Sequence, residues 1–111
     1  MKFSESLKKR EDFSRVYGQG RSKANRLLVL YVLPNQTERN RIGISVSKKV
    51  GNSVIRHRIT RLIRESYRLS EEDFKQGFDF IVIARVKAKG TTYDEIRSAL
   101  LSLAKAQKVL R

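Results

Sequence analysis

The chain contains no cysteine. Disulfides and cysteine-based zinc sites are thereby excluded, and an intracellular setting fits. A single histidine, His57, stands in 111 residues. Metal-free acid–base cleavage of a phosphodiester commonly uses two groups titrating near neutrality, so catalysis by the protein alone is poorly supplied. No apolar run approaches the ~18 residues of a membrane span; the longest, Leu27 to Pro34, has the length of a strand. The opening MKFSESLKKRED lacks the apolar stretch of a secretory signal, so a cytoplasmic location is expected. Acid is also scarce, with 11 Asp and Glu against 25 Lys and Arg. Seven of the acids sit in local groups, Glu11-Asp12, Glu71-Glu72-Asp73 and Asp94-Glu95, each at or near an expected helix start. There the helix dipole favours them for structural reasons, so they are not read as a two-metal site.

What is abundant is positive charge, a net +14 unevenly placed. Residues 45–68 carry seven basic residues and one acidic; residues 1–26 carry eight and three; beyond residue 68 the balance is eight to six. Solubility needs charge of either sign and does not explain two single-signed clusters, so a polyanionic partner is expected, nucleic acid before an anionic membrane. About 40% of the residues are apolar, enough for one folded domain over 1–111.

The stretch Ser45–Arg68 organises the reading. At ~100° per residue, Ile55, Ile59, Leu62, Ile63 and Tyr67 share one side of a helix over 53–68. His57, Arg61, Arg64 and Arg68 share the other, with Arg56 and Arg58 on its flanks. Forked guanidinium groups match phosphate oxygens. Asn52 or Ser53 serves as N-cap, and Lys48 and Lys49 lead into the turn. No G-x-x-x-x-G-K-[ST] phosphate loop is present. The apolar face suits helix-to-sheet packing and has no Trp at its margin, which argues against membrane docking.

Along the chain, Lys9–Gln19 is predicted helical, with Gly20 as its stop. Phe13, Val16 and Tyr17 share a face; Val16 is assigned to the core, whereas Phe13 and Tyr17 fit either the core or a groove. Ser22–Asn25 is a polar link that begins extended. Leu27–Leu33 is a strand apolar on both faces, Pro34–Asn40 a turn, and Arg41–Val46 a strand with Ile42, Ile44 and Val46 opposed to Gly43 and Ser45. The Gly and Ser face leaves room for a close approach. A helical turn after Ser70, a central strand over 78–85, a loop at Ala88–Gly90 and a helix over 93–109 complete the order. That last helix opens on a Thr92–Glu95 capping box, and its apolar stripe is Ile96, Ala99, Leu100, Leu103, Ala106 and Leu110. The class is α+β, an α/β sandwich with helices on a small sheet. Phe13, Tyr17 and Tyr31 are available to stack on unpaired bases.

The run RIGISVSKKVGNSVIRHR over 41–58, followed by Arg61-Leu62-Ile63-Arg64-Glu65, resembles the signature of the bacterial ribonuclease P protein component. Lys9–Phe13, Tyr17, Ala24–Arg26, Gly77–Asp79, Ile81–Arg85 and Thr92-Tyr93 extend the resemblance over nearly the whole chain. It implies an αβββαβα fold with a four-stranded mixed sheet. It also implies a left-handed β-α-β crossover, the rare hand, since about 98% are right-handed. It further implies the protein subunit of a ribonucleoprotein endonuclease whose catalytic RNA, with Mg²⁺, removes the 5′ leader of precursor tRNA, no protein oligomer being required. The catalytic RNA is then expected at Lys48, Lys49, Asn52, Arg56, His57, Arg58, Arg61, Arg64 and Arg68, and the leader at Phe13, Tyr17 and Tyr31. No catalytic residue is expected on the protein. Two positions depart from the family pattern: His57 stands where Asn is common, and Thr60 where a basic residue is common. An RNA-binding protein of ribosomal or chaperone type is the alternative.

Overall fold

The computed structural model describes residues 1–111. Five strands form one mixed sheet in the order β1-β4-β5-β3-β2. In chain order the elements are β1 (Ser4–Ser6), α1 (Arg10–Gln19), β2 (Arg21–Ala24), β3 (Leu28–Pro34), β4 (Asn40–Val46), α2 (Ser53–Ser70), β5 (Phe78–Ala84) and α3 (Tyr93–Ala106). Single 3₁₀ turns at Glu71–Asp73 and Val86–Ala88 flank β5. β3 pairs antiparallel with β5 and with β2, whereas β4 runs parallel to β5 and returns to it through α2.

The sheet has five strands rather than the expected four, because β1 pairs in parallel with β4. It is three residues long and polar, with only Ser4 buried, so no alternation announces it. Its attachment is polar too. Ser4 and the buried Tyr67 join their hydroxyls at 2.6 Å, and the Glu71 carboxylate accepts from the amides of Lys2 and Phe3 at 2.9 and 3.0 Å. The polar link after α1 is the edge strand β2, exposed throughout and carrying Arg21 and Lys23; edge cations discourage pairing with another chain.

The central strands are apolar on both faces because both faces are covered. Leu28, Leu30 and Val32 of β3, Ile42 of β4, and Phe80 and Val82 of β5 face a large core closed by Ile59, Ile63 and Tyr67 of α2 and Ile96, Leu100 and Leu103 of α3. Phe74 meets Tyr67 and Phe80 there edge to face, with centroids 5.0 and 5.5 Å apart, while Tyr67 and Phe80 are tilted at 6.2 Å. On the opposite face Ile81 packs with Leu7 and Val16 in a smaller cluster bordered by Phe13, Tyr31, Leu33 and Ile83.

Two chain ends differ from the periodic reading. Gly20 ends α1 in an extended conformation (φ −76°) rather than a left-handed cap. Its glycine is required by space, since a Cβ would come within 2.6 Å of the Val16 carbonyl and 3.1 Å of that of Val32. α3 stops at Ala106, short of residue 109: the buried Gln107 amide donates to the carbonyls of Arg21 and Leu30, and Lys108 turns the chain at φ 61°. Leu110 therefore leaves the helical stripe and bridges Phe74, and Ala106 is exposed.

Candidate nucleic-acid interface

α2 divides its residues as the ~100° periodicity requires. Ile59, Ile63 and Tyr67 are fully buried, Ile55 and Leu62 are half-buried against them, and His57, Arg58, Arg61, Arg64 and Arg68 are exposed. Arg56 is half-buried on the flank. The Asn52 side-chain oxygen accepts from the Ile55 amide at 3.0 Å, so Asn52 is the N-cap and only its amide NH₂ is left for a partner. Lys48 and Lys49 project from the exposed turn just before it.

The cations of this row are not equivalent. Arg68 forks onto Glu65 in the same helix, and each holds the other in its charged form, the Arg68 pKa raised and that of Glu65 lowered. Arg58 donates one Nη to the Thr91 carbonyl at 2.8 Å, tying the start of α2 to the loop before α3. Arg56, Arg61, Arg64, Lys48 and Lys49 form no ion pair within the chain, nor does Arg58. Thr60, which replaces a commonly basic residue, returns its hydroxyl to the Arg56 carbonyl at 2.9 Å.

On the other face of the sheet, α1 sets Phe13 and Tyr17 beside Tyr31 of β3. Ring centroids lie 6.2 Å apart for Phe13–Tyr17 and 5.1 Å for Tyr17–Tyr31, the latter nearly perpendicular at 84°. Phe13 lies directly on Gly43: a Cβ there would sit 2.5 Å from the ring's Cζ. The alternation that put Gly43 and Ser45 on one face of β4 therefore marks where an aromatic ring meets the sheet. Phe13 and Tyr31 are half-buried, whereas Tyr17 is 39% exposed. Burial raises the Tyr17 phenol pKa and the Ser45 side chain opposes the rise, so the hydroxyl remains a donor at neutral pH. Gly43→Ala is expected to lift Phe13 from the sheet. Its signature is a changed ring-current shift at Ile81, seen by NMR, with a melting point lowered by several degrees.

Beside this cleft lies a charged network not anticipated from the sequence. Asp79, 1% exposed, receives the Arg41 fork at 2.9 and 2.7 Å and the Asn35 amide at 3.0 Å. The other arm of Arg41 reaches Asp12 at 3.2 Å, and Arg15 donates to Asp12 at 2.6 Å. The available signal was an Arg and an Asp, each the second residue of a largely buried strand; β4–β5 register places Arg41 opposite Asp79. The Arg15 hydrogen bond, helped by the Arg41 charge and opposed by desolvation, holds the Asp12 carboxyl below its ordinary value. A depressed carboxyl contributes stability above its unfolded pKa, about 4 for Asp, and loses it as pH falls through the lowered native value. Asp12→Asn is thus expected to flatten the acid limb of a urea-midpoint-against-pH curve and leave the alkaline limb unchanged. No three His, Asp or Glu side chains converge in a way that could hold a metal ion. No helix is long and apolar enough to cross a membrane.

Fold and surface together define a small basic α+β protein that bears an arginine-rich helix on one face of its sheet and a partly exposed aromatic cluster on the other. The family model described as Ribonuclease P matches residues 1–108. The ribonuclease P protein component of Lachnoclostridium phytofermentans is 56% identical over 107 residues, covering 96% of this chain and 92% of its own. That of Alkaliphilus metalliredigens is 52% identical and covers 99% of both. Among solved structures, the Staphylococcus aureus RNase P protein superposes with TM-score 0.88 at 42% identity, covering 96% of this chain and 97% of that one. The Thermotoga maritima protein does so with TM-score 0.84 at 30% identity, covering 91% and 96%. The chain belongs to the ribonuclease P protein family.

Proposed function

We propose that this protein is the subunit of ribonuclease P that joins a catalytic RNA and assists it in removing the 5′ leader from precursor tRNA. The observation that carries the reading is the division of labour across the sheet. Guanidinium groups free of ion pairs line one face, and a partly exposed aromatic cluster occupies the other. Neither surface holds the paired acid–base groups or converging carboxylates that hydrolysis by the protein itself would use. In this reading cleavage belongs to the catalytic RNA. In this reading Mg²⁺ is bound mainly by the RNA and the substrate, where it would neutralise charge at the cleaved phosphate.

In this reading Lys48, Lys49, Arg56, Arg58, Arg61 and Arg64 contact the backbone of the catalytic RNA. Arg68 contributes less while Glu65 holds it, and Asn52 adds an amide donor beyond its capping role. His57, exposed at the centre of the row, offers a nitrogen to a phosphate or a base edge. The single-stranded leader lies over Phe13, Tyr17 and Tyr31, whose rings accept any base by stacking. Reconstitution with the cognate catalytic RNA tests the whole. The protein should restore leader cleavage at Mg²⁺ concentrations too low for the RNA alone, and failure to do so removes the reading. Binding of RNA without any preference for leader-bearing precursor would favour a general RNA-binding role instead.

A further inference from the structure

The arginine row of α2 is interrupted by an apolar slot. Val54 is 76% exposed in the first turn, a large hydrophobic side chain with no packing partner, surrounded by cations. Val54, His57, Arg58, Arg61 and Glu65 follow i, i+3, i+4, i+7 and i+11 along one stripe of α2. The groove they border is closed from the other side by Tyr93, the first residue of α3, with Leu62 at its base. The Arg58–Thr91 hydrogen bond and the Thr92–Glu95 capping box set where α3 begins, and hence where the Tyr93 ring stands.

We infer that this slot, between α2 and the start of α3, receives one unstacked nucleobase of an RNA strand whose phosphates are held by the flanking arginines. The inference rests on the RNA-binding reading of α2 and specifies what it binds there. A phosphate needs donors, and the walls supplied by Val54, Leu62 and the Tyr93 ring have none to give except a phenol; they suit a flat, weakly polar group. The rim carries the cations Arg58 and Arg61 against the single acid Glu65, so the flat group is one carried on a polyanion. In an A-form duplex the base faces are stacked away, which leaves a base in a bulge, loop or single strand as the occupant. Charge complementarity and the apolar floor together favour this over an acidic peptide, which would leave Val54 and Tyr93 unused.

Stacking and phosphate contacts have different salt signatures, and this separates the slot from the row. The probe is the cognate ribonuclease P RNA, with affinity of the full chain measured from 50 to 400 mM salt. Tyr93→Leu, which keeps apolar bulk, should weaken binding about tenfold, with the slope of log K against log salt unchanged. Tyr93→Trp should retain or improve it. Val54→Gln, at a position so exposed that the fold is indifferent to it, should weaken binding severalfold at the same slope. Arg61→Ala should reduce the slope by close to 1. If Arg61→Ala acts in this way while Tyr93→Leu and Val54→Gln stay within twofold of the parent, the slot does not take a base and the inference is overturned, although the phosphate row stands. If Arg61→Ala leaves affinity and slope unaltered, the RNA-binding reading of α2 falls, and the slot with it.

Discussion

Replacing both Arg61 and Arg64 by Ala is expected to lower affinity for the catalytic RNA about 30-fold near 0.1 M salt. Each guanidinium that neutralises a phosphate releases condensed counterion and contributes roughly 0.7–0.9 to the slope of log K against log salt. Losing two removes about 1.5 from that slope, which at 0.1 M is a factor of about 30 relative to 1 M, where the counterion contribution vanishes. The double variant should fold as well as the parent or slightly better. Both side chains are exposed, neither forms an ion pair, and Ala is the stronger helix former. Arg68→Ala should cost much less affinity, because its guanidinium is already engaged by Glu65. A salt slope that survives in the Arg61/Arg64 variant would place the phosphates elsewhere, with Lys48, Lys49 and the basic residues of β2 next in order.

The parts of this protein that could be read from its sequence are those where one period decides the answer. The two faces of α2 follow from 3.6-residue spacing, and Ile59, Ile63 and Tyr67 are buried where that spacing puts them. The alternation of Ile42, Ile44 and Val46 with Gly43 and Ser45 gave the two faces of β4, and Gly43 marked the close approach that Phe13 makes. Long-range polar contacts carry no period and were invisible. β1 is held by the Ser4–Tyr67 and Glu71 hydrogen bonds, between residues more than sixty positions apart. Leu110 matched the spacing of α3, yet Lys108 at φ 61° turns it into a bridge with Phe74. The same limit applied to the candidate site. Residue type and spacing identified the arginine row, and the i, i+3 spacing of Glu65 and Arg68 permits their pairing, but only tertiary structure distinguishes Arg58, tied to Thr91, from Arg61 and Arg64. Asn52 and Ser53 were both candidates for the helix cap, and the hydrogen bond from the Ile55 amide decides for Asn52.

Asp79→Ala is expected to be among the most destabilising single changes outside the apolar core, by about 3 kcal/mol or, for a chain of this size, a fall in melting point of about 10 °C. Asp79 is 1% exposed and satisfies Arg41 through both arms of its fork. Its removal leaves a guanidinium, itself only 29% exposed, with Asp12 as its remaining partner. The figure sits at the lower end for a broken buried pair because water still reaches Arg41. Removing both partners is a different matter. Arg41→Met with Asp79→Leu substitutes apolar atoms of similar volume beside Leu33 and Ile81, and should recover most of the lost stability. It should not recover the geometry of the cleft. Arg41 is the link from β4 to Asp12, one residue before Phe13, and that link is absent in the double variant, whereas Asp79→Ala keeps it. Preference for leader-bearing over mature tRNA should therefore fall severalfold in the double variant, although it is the single one that is unstable. A double variant that regains stability and leader preference together would show that Phe13 and its packing on Gly43 suffice to seat α1. The charged network would then be a stabilising element with no part in shaping the cleft.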